Sequence, residues 1–183
     1  MRDYRAMAII PDTKDWTWVL KRPCNECGFD ASGVENGDIP RLIRANAAAW
    51  PVELARSGVA TRPNESTWSV LEYAAHVRDV FRLYQLRLDL MLETDDPLYP
   101  NWDQDATAIE ERYNEQDPVV VARELVAAAE TLAASFDALP AESWSRPGRR
   151  SDGAVFTVSS FARYLAHDPV HHLWDVTARD IRG

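Results

Sequence analysis

Apolar residues recur three and four positions apart along most of this chain, and residues that start or stop helices bound each stretch. Leu71, Ala74, Ala75, Val77, Phe81, Tyr84, Leu88 and Leu92 keep that spacing, which lines one face of a helix with 3.6 residues per turn. Ser69 and Glu72 have capping-box spacing at its start, with Thr67 as an alternative cap, and the helix is predicted to run to about Glu93. Upstream, Asp38 as N-cap and Pro40 in the first turn begin a helix that reaches about Arg56, with Pro51 inside it as a kink. Asp117-Pro118 starts a third long helix that ends near Leu139-Pro140. A fourth is predicted from about Thr157 to Arg179, with Val158, Phe161, Leu165 and Val176 on its apolar positions. Residues 95–116 read as a loop with a short helix around Ala106 to Tyr113, and no segment alternates convincingly as a strand. The expected architecture is all-α, a four-helix bundle over residues 38–183. Residues 1–37 form an irregular N-terminal arm packed on that body; Pro, Gly, Asp and Asn interrupt residues 11–38, and Trp16, Trp18 and Phe29 are its anchors.

With 183 residues and 46% hydrophobic content, the chain suits one domain with a sizeable core. No apolar run is long enough to span a membrane, and the stretch from Met1 to Pro11 is too short in apolar residues for a signal peptide, so the expected location is the cytoplasm. A net charge of −9 argues against nucleic-acid binding, which needs a basic face. There is no Gly-x-Ser-x-Gly elbow and no glycine-rich phosphate loop. Arg146-Pro-Gly-Arg149-Arg150 is a basic loop in an acidic chain, either solvated between helices or a contact for an anionic substrate.

The histidines carry the strongest chemical signal. His167 and His171 stand at i and i+4 on the fourth helix, so one turn stacks both imidazoles on the same face. His76 lies mid-helix among apolar neighbours. Alone it reads as a core histidine; with the other two it would complete a three-ligand site with an open position, as catalytic metals have. Bundles form such sites from side chains that project inward from facing helices. His172 points about 100° away from His171 and does not share its face. Asp168 and Asp175 bracket His172 at i−4 and i+3, the spacing of helix-surface hydrogen bonds. Asp175 also follows His171 by four residues, where it could orient that ring's second nitrogen or simply be solvated. Pro169, between the two histidines, removes the amide that would bond the carbonyl of Leu165.

Trp68-Ser-Val-Leu-Glu-Tyr-Ala-Ala-His76 and Tyr164-Leu-Ala-His167-Asp-Pro-Val-His171-His172-Leu-Trp-Asp175 resemble the two motifs of the DinB-like superfamily, and the resemblance spans residues 38 to about 181. It implies a four-helix bundle, often a homodimer, in which His76, His167 and His171 hold a divalent metal, zinc or nickel. Some members use mycothiol or bacillithiol, as S-transferases or maleylpyruvate isomerases. This chain ends at Gly183 without the further domain of the mycothiol-dependent isomerases, so a compact S-transferase is the expectation. Eighteen of the twenty basic residues are Arg, a bias that fits a GC-rich, actinobacterial source and hence mycothiol. In that reading the metal favours the thiolate of a small-molecule thiol, which attacks an electrophilic substrate. Glu72, Asp79 and Tyr164 are candidates for shaping the pocket, although Glu72 is also explained as a cap and Asp79 as a solvated position. A metal-dependent hydrolase and a non-catalytic metal-binding bundle are the alternatives.

Cys24 and Cys27 form a Cys-x-x-Cys in the arm. They read as ordinary reduced thiols, a disulfide or redox pair, or half of a metal knuckle. A closed zinc site would need two further ligands, and the chain has no second cysteine pair.

Overall fold

The computed structural model describes residues 16–178. The first part of the expected arm, including the segment read for a signal peptide, and the expected end of the last helix at Arg179 lie outside the described residues.

Four long helices form where the apolar period places them. Helix α1 (Ile39–Leu54) has Pro40 in its first turn and Pro51 near its end, and its N-cap Asp38 turns its carboxylate to Arg41 at 2.9 Å. Helix α2 (Val70–Glu93) starts from a complete capping box: the Glu72 amide donates to Ser69 Oγ, and the Ser69 amide donates to the Glu72 carboxylate. A short helix, α3 (Gln104–Glu110), is capped by Asp103. Helix α4 (Pro118–Asp137) is capped by Asp117, and α5 (Val158–Thr177) by a second capping box between Thr157 and Ser160. Such caps satisfy amides that have no partner within the helix, each worth about 1 kcal/mol.

Helices α1 and α2 each pack against both α4 and α5, so α1 and α2, consecutive in the chain, sit across a diagonal of the bundle. Trp50, Phe81, Leu88, Leu125, Leu132, Phe136, Phe161 and Leu165 fill the space between them. No helix among the described residues is long and apolar enough to cross a membrane.

The structure adds a small sheet that the periodicity did not announce. Strand β1 (Leu98–Tyr99) pairs in parallel with β2 (Pro147–Arg150), and β2 pairs antiparallel with β3 (Val155–Thr157). Strands of two to four residues are too short for alternation to show. The basic loop proves to be β2. Arg146 donates to the carbonyls of Met91 and Thr94, Arg149 pairs with Asp96, and Arg150 pairs with Asp152. Gly148 lets β2 close on α2: a Cβ there would lie 2.8 Å from the Met91 side chain.

Among its described residues, the arm packs Leu20, Phe29 and Val34 against the bundle core. Its three-residue and four-residue turns (Thr17–Leu20, Ala31–Gly33, Asn36–Asp38) bury Val19 and Ala31, and Cys24 is buried between them in sequence. The turns pack chiefly on α5 and one another.

Candidate metal centre

Helix α5 carries two overlapping i,i+4 pairs, His167 with His171 and Asp168 with His172. Offset by one residue, they point about 100° apart. The bundle sends them to different neighbours, and two clusters of metal-binding groups result.

In the first cluster, His76 of α2 meets Asp168 and His172 of α5, with one ligand atom from each inside a 4.8 Å span. His76 Nε2 is 3.6 Å from Asp168 Oδ1, and His172 Nε2 is 3.8 Å from the same oxygen. These separations are near the edge of a tetrahedron about an ion with bonds of about 2.0–2.2 Å, which is about 3.4 Å. Both ring nitrogens of His76 and Oδ1 of Asp168 are buried with no hydrogen-bond partner among the described residues. The His76 ring is fixed by aromatic neighbours, stacked on Trp102 at 5.2 Å and packed against Trp68 at 5.2 Å. His172 is oriented differently: its Nδ1 lies 3.1 Å from Asp175 Oδ2, and its ring packs on Tyr73. His76 is fully enclosed, whereas a third of the Asp168 side chain remains exposed, so the cluster opens to solvent on the Asp168 side.

The second cluster joins the arm to α5. Cys24, Cys27, His167 and His171 each offer a ligand atom within a 4.8 Å span. Cys24 Sγ is 3.7 Å from His171 Nδ1. His171 Nε2, on the far side of the ring, is 3.5 Å from Glu26 Oε2 and 3.9 Å from Asp175 Oδ2. His167 Nε2 is buried without a hydrogen-bond partner among the described residues. The Trp16 ring covers both imidazoles, at 5.5 and 5.2 Å.

Burial favours neutral imidazole, the form that binds metal, at His76, His167 and His171. Burial lowers the pKa of His76, and Asp168 only partly offsets it. Burial, then the neighbouring His171, pushes His167 down to about 4, and burial also lowers His171. Burial works against the Asp168 carboxylate, yet His172 and His76 beside it hold its pKa below the usual range. The Cys27 thiol is pushed up to about 11, chiefly by burial.

The three histidines expected to share one site are therefore divided. His76 joins His172 and Asp168, while His167 and His171 join the two cysteines. Asp168 and His172 were not among the expected ligands. Their signal was present in the sequence as the second i,i+4 pair, overshadowed by the all-histidine pair one residue earlier. The three pocket candidates have other partners. Glu72 receives the Arg62 guanidinium and caps α2. Asp79 pairs with Arg78 and Arg82 and accepts from the Tyr113 hydroxyl. Tyr164 lies against Arg150 and Phe156.

A family model described as the DinB superfamily matches residues 42–176. Among solved structures, the chain is similar to YfiT from Bacillus subtilis, described as a probable metal-dependent hydrolase with an unusual four-helix bundle topology. The TM-score is 0.69 at 18% identity, over 79% of this chain and 87% of that one. No curated protein matches the sequence.

Proposed function

Because the chain belongs to the DinB superfamily, we propose that His76, Asp168 and His172 hold a catalytic divalent metal and that the protein is a metal-dependent enzyme. One observation carries this reading. A fully buried histidine faces a buried carboxylate oxygen, and neither has a hydrogen-bond partner among the described residues. Leaving such groups unsatisfied costs about 1–3 kcal/mol each, a cost that a shared cation removes. Two imidazoles and one carboxylate form a three-ligand set of the kind that leaves a position open, and imidazole suits both zinc and nickel.

A cation held there supplies one piece of chemistry: it favours the deprotonated form of a thiol or a water molecule at neutral pH. The protein's own groups do the rest. Trp102 and Trp68 fix the His76 ring, Asp175 sets the tautomer and direction of His172, and Asp168 brings one negative charge at the open side.

The nucleophile we assign is the thiol of a small-molecule cosubstrate of the mycothiol type, which makes the reaction an S-transfer. Its support is the motif resemblance at Trp68–His76 and Tyr164–Asp175. Water is the second reading, favoured by the likeness to YfiT, and would make the protein a hydrolase.

Assays of zinc-loaded and nickel-loaded protein with monochlorobimane plus a thiol, and with p-nitrophenyl esters without one, test both readings. Thiol-dependent turnover that falls at least a hundredfold in His172→Ala supports S-transfer. Ester turnover with the same loss supports hydrolysis. Turnover unchanged in His172→Ala would overturn the site.

A further inference from the structure

We infer that Cys24, Cys27, His167 and His171 form a second metal site, a closed Cys2His2 zinc centre that clamps the N-terminal arm onto α5. It is independent of the catalytic reading above and shares none of its three ligands.

Donor type, spacing and geometry converge on this assignment. Two thiols and two imidazoles form a set that selects zinc and closes its coordination sphere. Cys-x2-Cys followed by His-x3-His matches the ligand spacing of closed zinc sites. A tetrahedral ion with sulfur at about 2.3 Å and nitrogen at about 2.0–2.1 Å sets those two atoms about 3.6 Å apart. Cys24 Sγ and His171 Nδ1 are 3.7 Å apart.

The backbone around the cysteines is shaped for the task. The Gly28 amide donates to the Cys24 carbonyl at 2.9 Å, and the Cys24 amide donates to the Phe29 carbonyl at 2.9 Å. This folds Cys24–Gly28 into a tight knuckle that presents both sulfurs on one side. Gly28 takes a φ of +76° there, which glycine adopts at no steric cost. Metal-bound histidines usually give their second nitrogen to a carboxylate, and His171 Nε2 faces Glu26 and Asp175. His167 Nε2, buried and unpartnered among the described residues, gains a partner in the ion.

The role is structural. Four protein ligands leave no open position, and the ion adds a tie between the arm and α5 to the apolar contacts of Val19, Phe29 and Ala31. Anchoring His167 and His171 also fixes the rotation of α5 about its axis. Asp168 and His172, one residue further along, are thereby held towards His76. The arm supports the catalytic cluster through α5.

Two measurements test this on full-length protein. In the first, reduced wild-type protein loaded with zinc is treated with a disulfide thiol reagent, with and without a strong chelator. The chain has only two cysteines, and the half-exposed Cys27 reports on the site. At least tenfold faster modification after chelation is expected; equal rates would overturn the proposal. In the second, cobalt(II) replaces zinc. A thiolate-to-cobalt charge-transfer band in the near ultraviolet is expected in wild type and in His76→Ala, and is lost in Cys27→Ser and His171→Ala. No band in wild type, or a band that survives His171→Ala, would overturn it. The two sites fail separately: the band reports the Cys2His2 centre, and thiol or ester turnover reports the other.

Discussion

Asp175 Oδ2 lies 3.1 Å from His172 Nδ1, so the remaining nitrogen of that ring turns to Asp168 and His76. The same oxygen is 3.9 Å from His171 Nε2. One carboxylate on the last full turn of α5 therefore backs a ligand of each cluster.

A carboxylate in that position raises ligand basicity and holds the ring in one tautomer, and its loss typically costs 10–100-fold in metal affinity. Asp175→Ala is expected to weaken zinc binding at the His76 cluster by about that factor, with helical content unchanged. Chelator competition monitored alongside circular dichroism checks it; unaltered affinity would remove Asp175 from the site.

Glu72 is a structural residue in this fold. Its carboxylate, 2% exposed, receives Arg62 Nε at 2.9 Å and closes the capping box. Removing one partner of a buried ion pair typically costs about 3–5 kcal/mol, because the other charge stays buried. Arg62→Ala is expected to lower stability by about that amount, and Ser69→Ala by only about 1 kcal/mol. Both should retain their full metal content. Urea unfolding midpoints with parallel metal analysis give the comparison, and metal loss in Arg62→Ala with no change in stability would argue for a ligand-like role instead.

The depressed histidines give metal-free protein a defined response to acid. In the unfolded chain they protonate near pH 6.5; in the folded chain His76 and His171 resist below that value, and His167 resists to about 4. Between those limits the unfolded state binds more protons, so stability falls as pH falls. Chelator-treated protein should show a lower urea midpoint at pH 5 than at pH 7.5. An equal or higher midpoint at pH 5 would mean that these rings are not buried in neutral form.

Much of this was legible in the sequence. The capping box at Ser69–Glu72, the Asp117-Pro118 start and the apolar spacing from Leu71 to Leu92 are local signals, and the helices begin where those signals stand. The β-strands escaped notice because a strand of two residues such as Leu98–Tyr99 has no period, and its pairing with Arg149 is a long-range event. The site was half legible. His76 and the histidine-rich turn of α5 were identified, but which i,i+4 pair faces α2 depends on how far α5 is rotated about its axis. The packing of Phe161, Leu165 and Val176 into the bundle core sets that rotation, and neither the arm's path nor the meeting of Cys24 with His171 across 147 residues is written in local spacing. Counting cysteines alone leaves a metal knuckle as one of three readings of Cys24 and Cys27, because the histidine pair beside them in the fold is allotted to another site.

The most direct test is crystallographic: anomalous diffraction recorded on either side of the zinc absorption edge from crystals of zinc-loaded protein. A peak enclosed by His76, Asp168 and His172 is expected, together with a separate peak enclosed by Cys24, Cys27, His167 and His171. A single peak bound by His76, His167 and His171 together, with Asp168 and His172 turned away, would contradict the division of the histidines on which both assignments stand.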